Sequence, residues 1–109
     1  MRIVAANWLF RSESVVLHPA MAVITDSYVS DYAAITDDMP LMEWLGGIIF
    51  LSAKEDLDEL PEQVTLSQLK AYLLNDDMPR YAYHLSSVDI HSESRFSASL
   101  LVRLEEDFI

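Results

Sequence analysis

From Arg95 to Leu104 the chain alternates without a break. Phe96, Ala98, Leu100, Val102 and Leu104 fall on one parity, and Arg95, Ser97, Ser99, Leu101 and Arg103 on the other. Successive side chains of a strand point to opposite faces, so this run predicts a sheet with one dry face and one wet face. Phe96, Leu100 and Val102 are expected inside, and Ser97, Ser99 and Arg103 outside. Tyr81, Tyr83 and Leu85 repeat the same period within residues 80–90, and His91–Ser94 supplies a hairpin turn between the two strands.

The earlier part of the chain is read in the same way. Arg2–Phe10 is rich in Ile, Val, Trp and Phe and suits a buried strand, with Val15–Leu17 and Ala20–Thr25 as further strand pieces around His18-Pro19. Asp26 is placed to cap a short helix over Ser27–Ile35, with Tyr28, Tyr32 and Ile35 at helical spacing. Pro40 suits the first turn of a second short helix through Leu45, ended by Gly46-Gly47, and Ile48–Leu51 reads as a short buried strand. Lys54–Glu62 is an acidic turn or loop closed by Pro61. The helix after it is the best signalled: Thr65 and Gln68 form a capping box, Leu66, Leu69 and Leu73 make one stripe, Tyr72 and Leu74 widen it, and Pro79 lies beyond its end. The order β-β-α-α-β-α-β-β predicts one domain over residues 1–109. Its fold class is expected to be α+β, a two-layer sandwich of a mainly antiparallel sheet with helices packed on one face.

Such a domain has enough apolar material for its own core, since 51% of its 109 residues are hydrophobic. It has no cysteine, which excludes disulfides, thiol nucleophiles and thiolate metal sites. No apolar run reaches the length of a membrane span. Arg2, the apolar run after it and Ala20-Met21-Ala22 loosely imitate a signal peptide, but Arg11 and Glu13 interrupt the stretch, and a strand is the better reading. A cytoplasmic location is the default expectation.

Charge is the chain's most uneven property. The net charge is −11, and residues 26–77 carry twelve acids against Lys54 and Lys70. Such a field repels phosphate backbones and anionic membranes and attracts basic proteins. Glu55, Asp56, Asp58, Glu59 and Glu62 form one cluster, and Asp37-Asp38 and Asp76-Asp77 two more. These nine residues are the candidate binding set. They lack the alternating Asp, Asn and Gly of a calcium loop, and a chain this short could hardly build the sugar cleft that a glycosidase carboxylate pair requires.

Other chemistry is thinly signalled. Ser67 and Lys70 have the spacing of some acyl-transferring enzymes without the further motifs those need. His18, His84 and His91 show no helical zinc spacing, and the two glycines build no phosphate loop. Tyr28, Tyr32, Tyr81 and Tyr83 are candidate interface anchors. Asp-Asp-Met-Pro occurs at 37–40 and again at 76–79 without a matching flank, and reads as two stop signals. No cofactor, metal or catalytic residue is expected. The expected function is a non-enzymatic, acidic protein–protein interaction module: an inhibitor, immunity or adaptor protein binding a basic surface, in one form as a nucleic-acid mimic of a nucleic-acid-binding enzyme's substrate. The alternative is a homo-oligomeric structural or small-ligand-binding domain.

Overall fold

The computed structural model describes residues 1–36, 42–74, 78–86 and 88–106. Its first two strands follow each other with only Asn7 between them: β1 (Arg2–Ala6) and β2 (Trp8–Phe10). They belong to different sheets, so the single apolar run expected as one strand bends from one sheet into the other. Next come β3 (Val16–Leu17), β4 (Ala20–Thr25), β5 (Tyr28–Ala34), β6 (Glu43–Trp44), β7 (Ile48–Ser52) and β8 (Gln63–Val64). The only α-helix among the described residues, α1 (Leu66–Leu73), precedes β9 (Tyr81–Leu85), β10 (Phe96–Ser97) and β11 (Leu101–Arg103).

These strands form a four-stranded sheet in the order β5-β4-β1-β6, a five-stranded sheet in the order β11-β9-β7-β2-β3, and a two-stranded ladder of β10 on β8. Strands account for 43% of residues and helix for 11%. The expected two-layer α+β sandwich with helices on one sheet face is therefore wrong: the protein is mostly β. Two sheets pack face to face, and one short helix covers the outer side of the larger one.

The packing follows from the central strand of the five-stranded sheet being dry on both faces. β7 is buried at every position. Ile49 and Leu51 on one side join Val4, Ala22, Ile24 and Ala82 between the sheets. Ile48 and Phe50 on the other join Leu66, Leu69 and Leu73 of α1, with Tyr81, Tyr83 and Leu85 of β9. A strand buried on both faces reads as a continuous apolar run, as Ile48–Leu51 does.

Two adjacent strands cross between the sheets together. β1 pairs parallel with β6, and β2 pairs parallel with β7, but Val4 faces Glu43 whereas Trp8 faces Ile48, so one extra residue enters on the second strand. Gly46 and Gly47 absorb it, both at positive φ. At Gly47 a side chain is barred as well, because a Cβ would lie 2.4 Å from the Leu85 carbonyl oxygen.

Both expected helices before residue 46 are corrected. Residues 28–34 are strand β5, joined to β4 through a tight turn in which Asp26 takes φ 59. A bulge at Ser30 breaks up the face expected to carry Tyr28 and Tyr32, leaving Tyr28 exposed. Val23 faces Asp31 while Ile24 faces Val29, so Ser30 is extra, and Val29 and Tyr32, three apart, both pack on the inter-sheet core. Of the second helix, Pro40 and Leu41 lie outside the described residues, and Glu43–Trp44 is strand.

The C-terminal alternation is also interrupted. Ala98–Leu100 form a 3-10 turn between β10 and β11, with the Ser97 hydroxyl accepting from Ser99 N. The turn flips the parity. Leu101 is buried at 5% exposure, whereas Val102 is 57% and Leu100 40% exposed, the reverse of the expectation. α1 and β9 match their sequence signals. Thr65 and Gln68 close both bonds of the capping box, at 3.2 and 2.8 Å.

Candidate acidic binding face

Between β7 and β8 the chain makes the acidic loop, residues 53–62, and three consecutive carbonyls tie it down. Lys54 O accepts from the Tyr83 hydroxyl at 2.6 Å, Glu55 O from Arg103 Nη1 at 2.7 Å, and Asp56 O from the Tyr72 hydroxyl at 3.5 Å. The donors come from β9, β11 and α1. Leu57 and Leu60 pack against the helix-side core, and Leu60 N bonds Leu57 O to close a turn. The far end is held where Ala98 N bonds Glu62 O at 2.8 Å. A segment bonded at both ends and weighted by two leucines has less freedom than its polar sequence suggests.

With its backbone bound inward, the loop turns its acids outward. Glu55, Asp56, Asp58, Glu59 and Glu62 are all exposed. The ion pairs among the described residues lie elsewhere: Arg2 with Glu43, Arg103 with Glu105, and the N-terminal ammonium with Glu106. Glu55, Asp56, Asp58 and Glu59 surround an open hollow of about 420 Å³ whose wall includes Lys54 and Tyr72. The Lys54 ammonium lies 4.9 Å from the Tyr72 ring centre. The Tyr72 phenol is held above its ordinary pKa by burial first and then by the Glu59 and Asp56 charges. Burial also pushes Tyr83 up to about 12, so at neutral pH its hydroxyl keeps the proton it donates to Lys54 O.

The candidate set divides three ways. Glu55, Asp56, Asp58 and Glu59 are brought together, and Glu62 stands at the edge of a neighbouring groove. Asp37, Asp38, Asp76 and Asp77 lie outside the described residues. Tyr72, Tyr83 and Arg103, which fix the loop, carried no sequence signal for that role, because each bond spans 16 to 48 positions.

The remaining candidates disperse. Tyr81 and Tyr83 are core residues, Tyr32 is half-buried with its hydroxyl accepting from Arg11 Nε at 2.9 Å, and Tyr28 is exposed beside the Tyr81 ring. Ser67 is exposed, while the Lys70 ammonium caps the Phe10 ring at 4.6 Å. His18 lies against Trp8, and His84 Nε2 lies 2.9 Å from Gly46 O. Among the described residues no group of three His, Asp or Glu side chains could hold a metal ion, and no helix is long and apolar enough to cross a membrane. Neither the family models, the curated proteins nor the solved structures offer a match to this chain.

Proposed function

We propose that this protein is a non-enzymatic interaction module whose acidic face, centred on Glu55, Asp56, Asp58 and Glu59, binds a basic protein surface. One observation carries the reading: the backbone that opens this acidic run is tied to the fold at the three successive carbonyls of residues 54–56, while the side chains of Glu55, Asp56, Asp58 and Glu59 are exposed. Charge meant only for solubility needs no fixed geometry. A fixed array of like charges suits a complementary array on a partner and steers its approach. Inhibitors, immunity proteins and adaptors act in this way, and a partner that normally holds nucleic acid would meet the array as a mimic of its phosphates. The module would work in the cytoplasm and would contact neither nucleic acid nor a membrane directly.

The test is capture of a partner from the native host, followed by association kinetics with that partner. Reversal of Asp56, Asp58 and Glu59 to lysine is expected to slow association strongly and dissociation little. Reversal of the exposed Glu13 and Glu93 is the control, since Glu105 and Glu106 are engaged by Arg103, Asp26 N and the N-terminus. Equal losses from both variants reduce the effect to net charge and overturn a defined face.

A second reading rests on Val102 and Leu100, exposed on and beside β11 at the edge of the five-stranded sheet. Edge strands invite pairing with another copy. Light scattering near twice 12.4 kDa at micromolar concentration, lost on Val102→Lys, is expected if the protein acts as a homodimer.

A further inference from the structure

Beside the acidic hollow, the same loop walls a second depression of about 530 Å³. Leu57, Leu60 and Pro61 of the loop and Ala98 and Leu101 line it, with Ser99 and Glu62 among its polar side chains. The groove lies where the 3-10 turn over 98–100 carries the chain from the β10–β8 ladder to β11, with Ala98 N bonded to Glu62 O. Leu57 and Leu60 thus serve two surfaces, touching the core on one side and the groove on the other. One apolar wall and the acids belong to the same ten-residue loop, in which Asp58, Glu59 and Glu62 alternate with the groove-lining Leu57, Leu60 and Pro61.

We propose that this groove docks an apolar side chain of a basic partner segment, one whose sequence places a large apolar residue next to lysines or arginines. The inference rests on the acidic-face reading and sharpens it: the partner element is a basic amphipathic segment rather than a uniformly basic surface. Charge complementarity selects the occupant. An acidic segment would meet the repulsion of the whole loop, and a neutral apolar one would leave the carboxylates at the rim without partners. A buried apolar anchor surrounded by charged contacts is also the common anatomy of a specific interface, with the anchor setting the dissociation rate and the charges the association rate.

The probe is a phage-displayed library of random peptides selected on the full chain, with the recovered peptides then synthesised and titrated. Selected sequences are expected to share one large apolar position flanked by Lys or Arg. Ala98→Phe, which fills the groove, is expected to weaken these peptides by about tenfold or more, the effect of losing one buried large side chain. Ser99→Phe serves as a second block if the first disturbs the turn, and matching thermal melts show which variant is folded. An oligolysine of equal charge is expected to bind more weakly and to be indifferent to either substitution. Selected peptides that are basic without a shared apolar position, or that ignore both blocking variants, overturn the groove and leave the acidic face standing. A selection without basic sequences overturns both.

Discussion

The Tyr83 hydroxyl, set in the core of the five-stranded sheet, donates to the carbonyl oxygen of Lys54 at the first residue of the acidic run, 2.6 Å away. A side chain 1% exposed therefore fixes the backbone from which the exposed carboxylates project. Tyr83→Phe keeps the ring and removes only the donor, stranding a carbonyl, and is expected to cost about 1–2 kcal/mol in urea unfolding. Faster amide exchange over 54–58, with that of β7 unchanged, is the local signature that separates loop release from general loosening.

The same phenol gives the protein an alkaline limit. Its pKa is raised to about 12 in the fold, chiefly by burial, against about 10 in the unfolded chain. Below pH 10 both states hold the proton and stability does not respond. Between pH 10 and about 12 the unfolded state ionises first, so stability falls as pH rises. The unfolding midpoint is expected to decline over that window in the wild type, and less steeply in Tyr83→Phe. A residual slope in the variant belongs to Tyr72 and Tyr81, whose phenols are raised as well.

The two glycines separate backbone conformation from space. Both have positive φ, so alanine at either meets the strain of a left-handed backbone, about 1–2 kcal/mol. A Cβ on Gly46 would touch nothing closer than the Trp44 indole nitrogen at 3.8 Å, whereas one on Gly47 would collide with the Leu85 carbonyl inside β9. Gly47→Ala is expected to lower the melting temperature clearly more than Gly46→Ala. Equal losses would mean that the β6–β7 crossing yields without disturbing β9.

What the sequence revealed was whatever local rules decide. Thr65 and Gln68 lie three residues apart and satisfy each other's helix start, so α1 was legible. Tyr81, Tyr83 and Leu85 were legible because no irregularity interrupts β9. Two of the failures each sit at a single irregularity of the backbone. The spacing of Tyr28, Tyr32 and Ile35 suggested a helix, but the bulge at Ser30 in strand β5 puts Val29 with Tyr32 on the inner face and leaves Tyr28 exposed. The Ser97–Ser99 bond curled a polar-apolar alternation into a 3-10 turn and reversed the faces beyond it. The acids of the site were visible as composition, but their ordering was not, since Tyr72, Tyr83 and Arg103 reach the loop only through the tertiary fold.

The capping box offers a direct check that the legible part also bears weight. Thr65→Ala removes the oxygen that accepts from Gln68 N and is expected to destabilise by about 1 kcal/mol. Thr65→Ser keeps that oxygen and is expected to restore most of the loss. A serine variant as unstable as the alanine one would locate the threonine's contribution in its methyl group instead.

Salt should distinguish an acidic face held under repulsion from charge spread harmlessly over the surface. Acids outnumber bases by eleven, and four exposed carboxylates surround one hollow, so added salt screens mainly repulsion. Against this stand the pairs Arg2–Glu43, Arg103–Glu105 and the N-terminus with Glu106, all at least partly exposed and so individually weak, which salt weakens further. Repulsion is the larger sum, so the urea midpoint is expected to rise from low to moderate NaCl. Reversal of Asp56, Asp58 and Glu59 to lysine should raise the low-salt midpoint and flatten its salt dependence while leaving the circular dichroism spectrum unchanged. A wild-type midpoint that falls with salt would show the ion pairs dominating, and the loop would then be no concentrated charge at all.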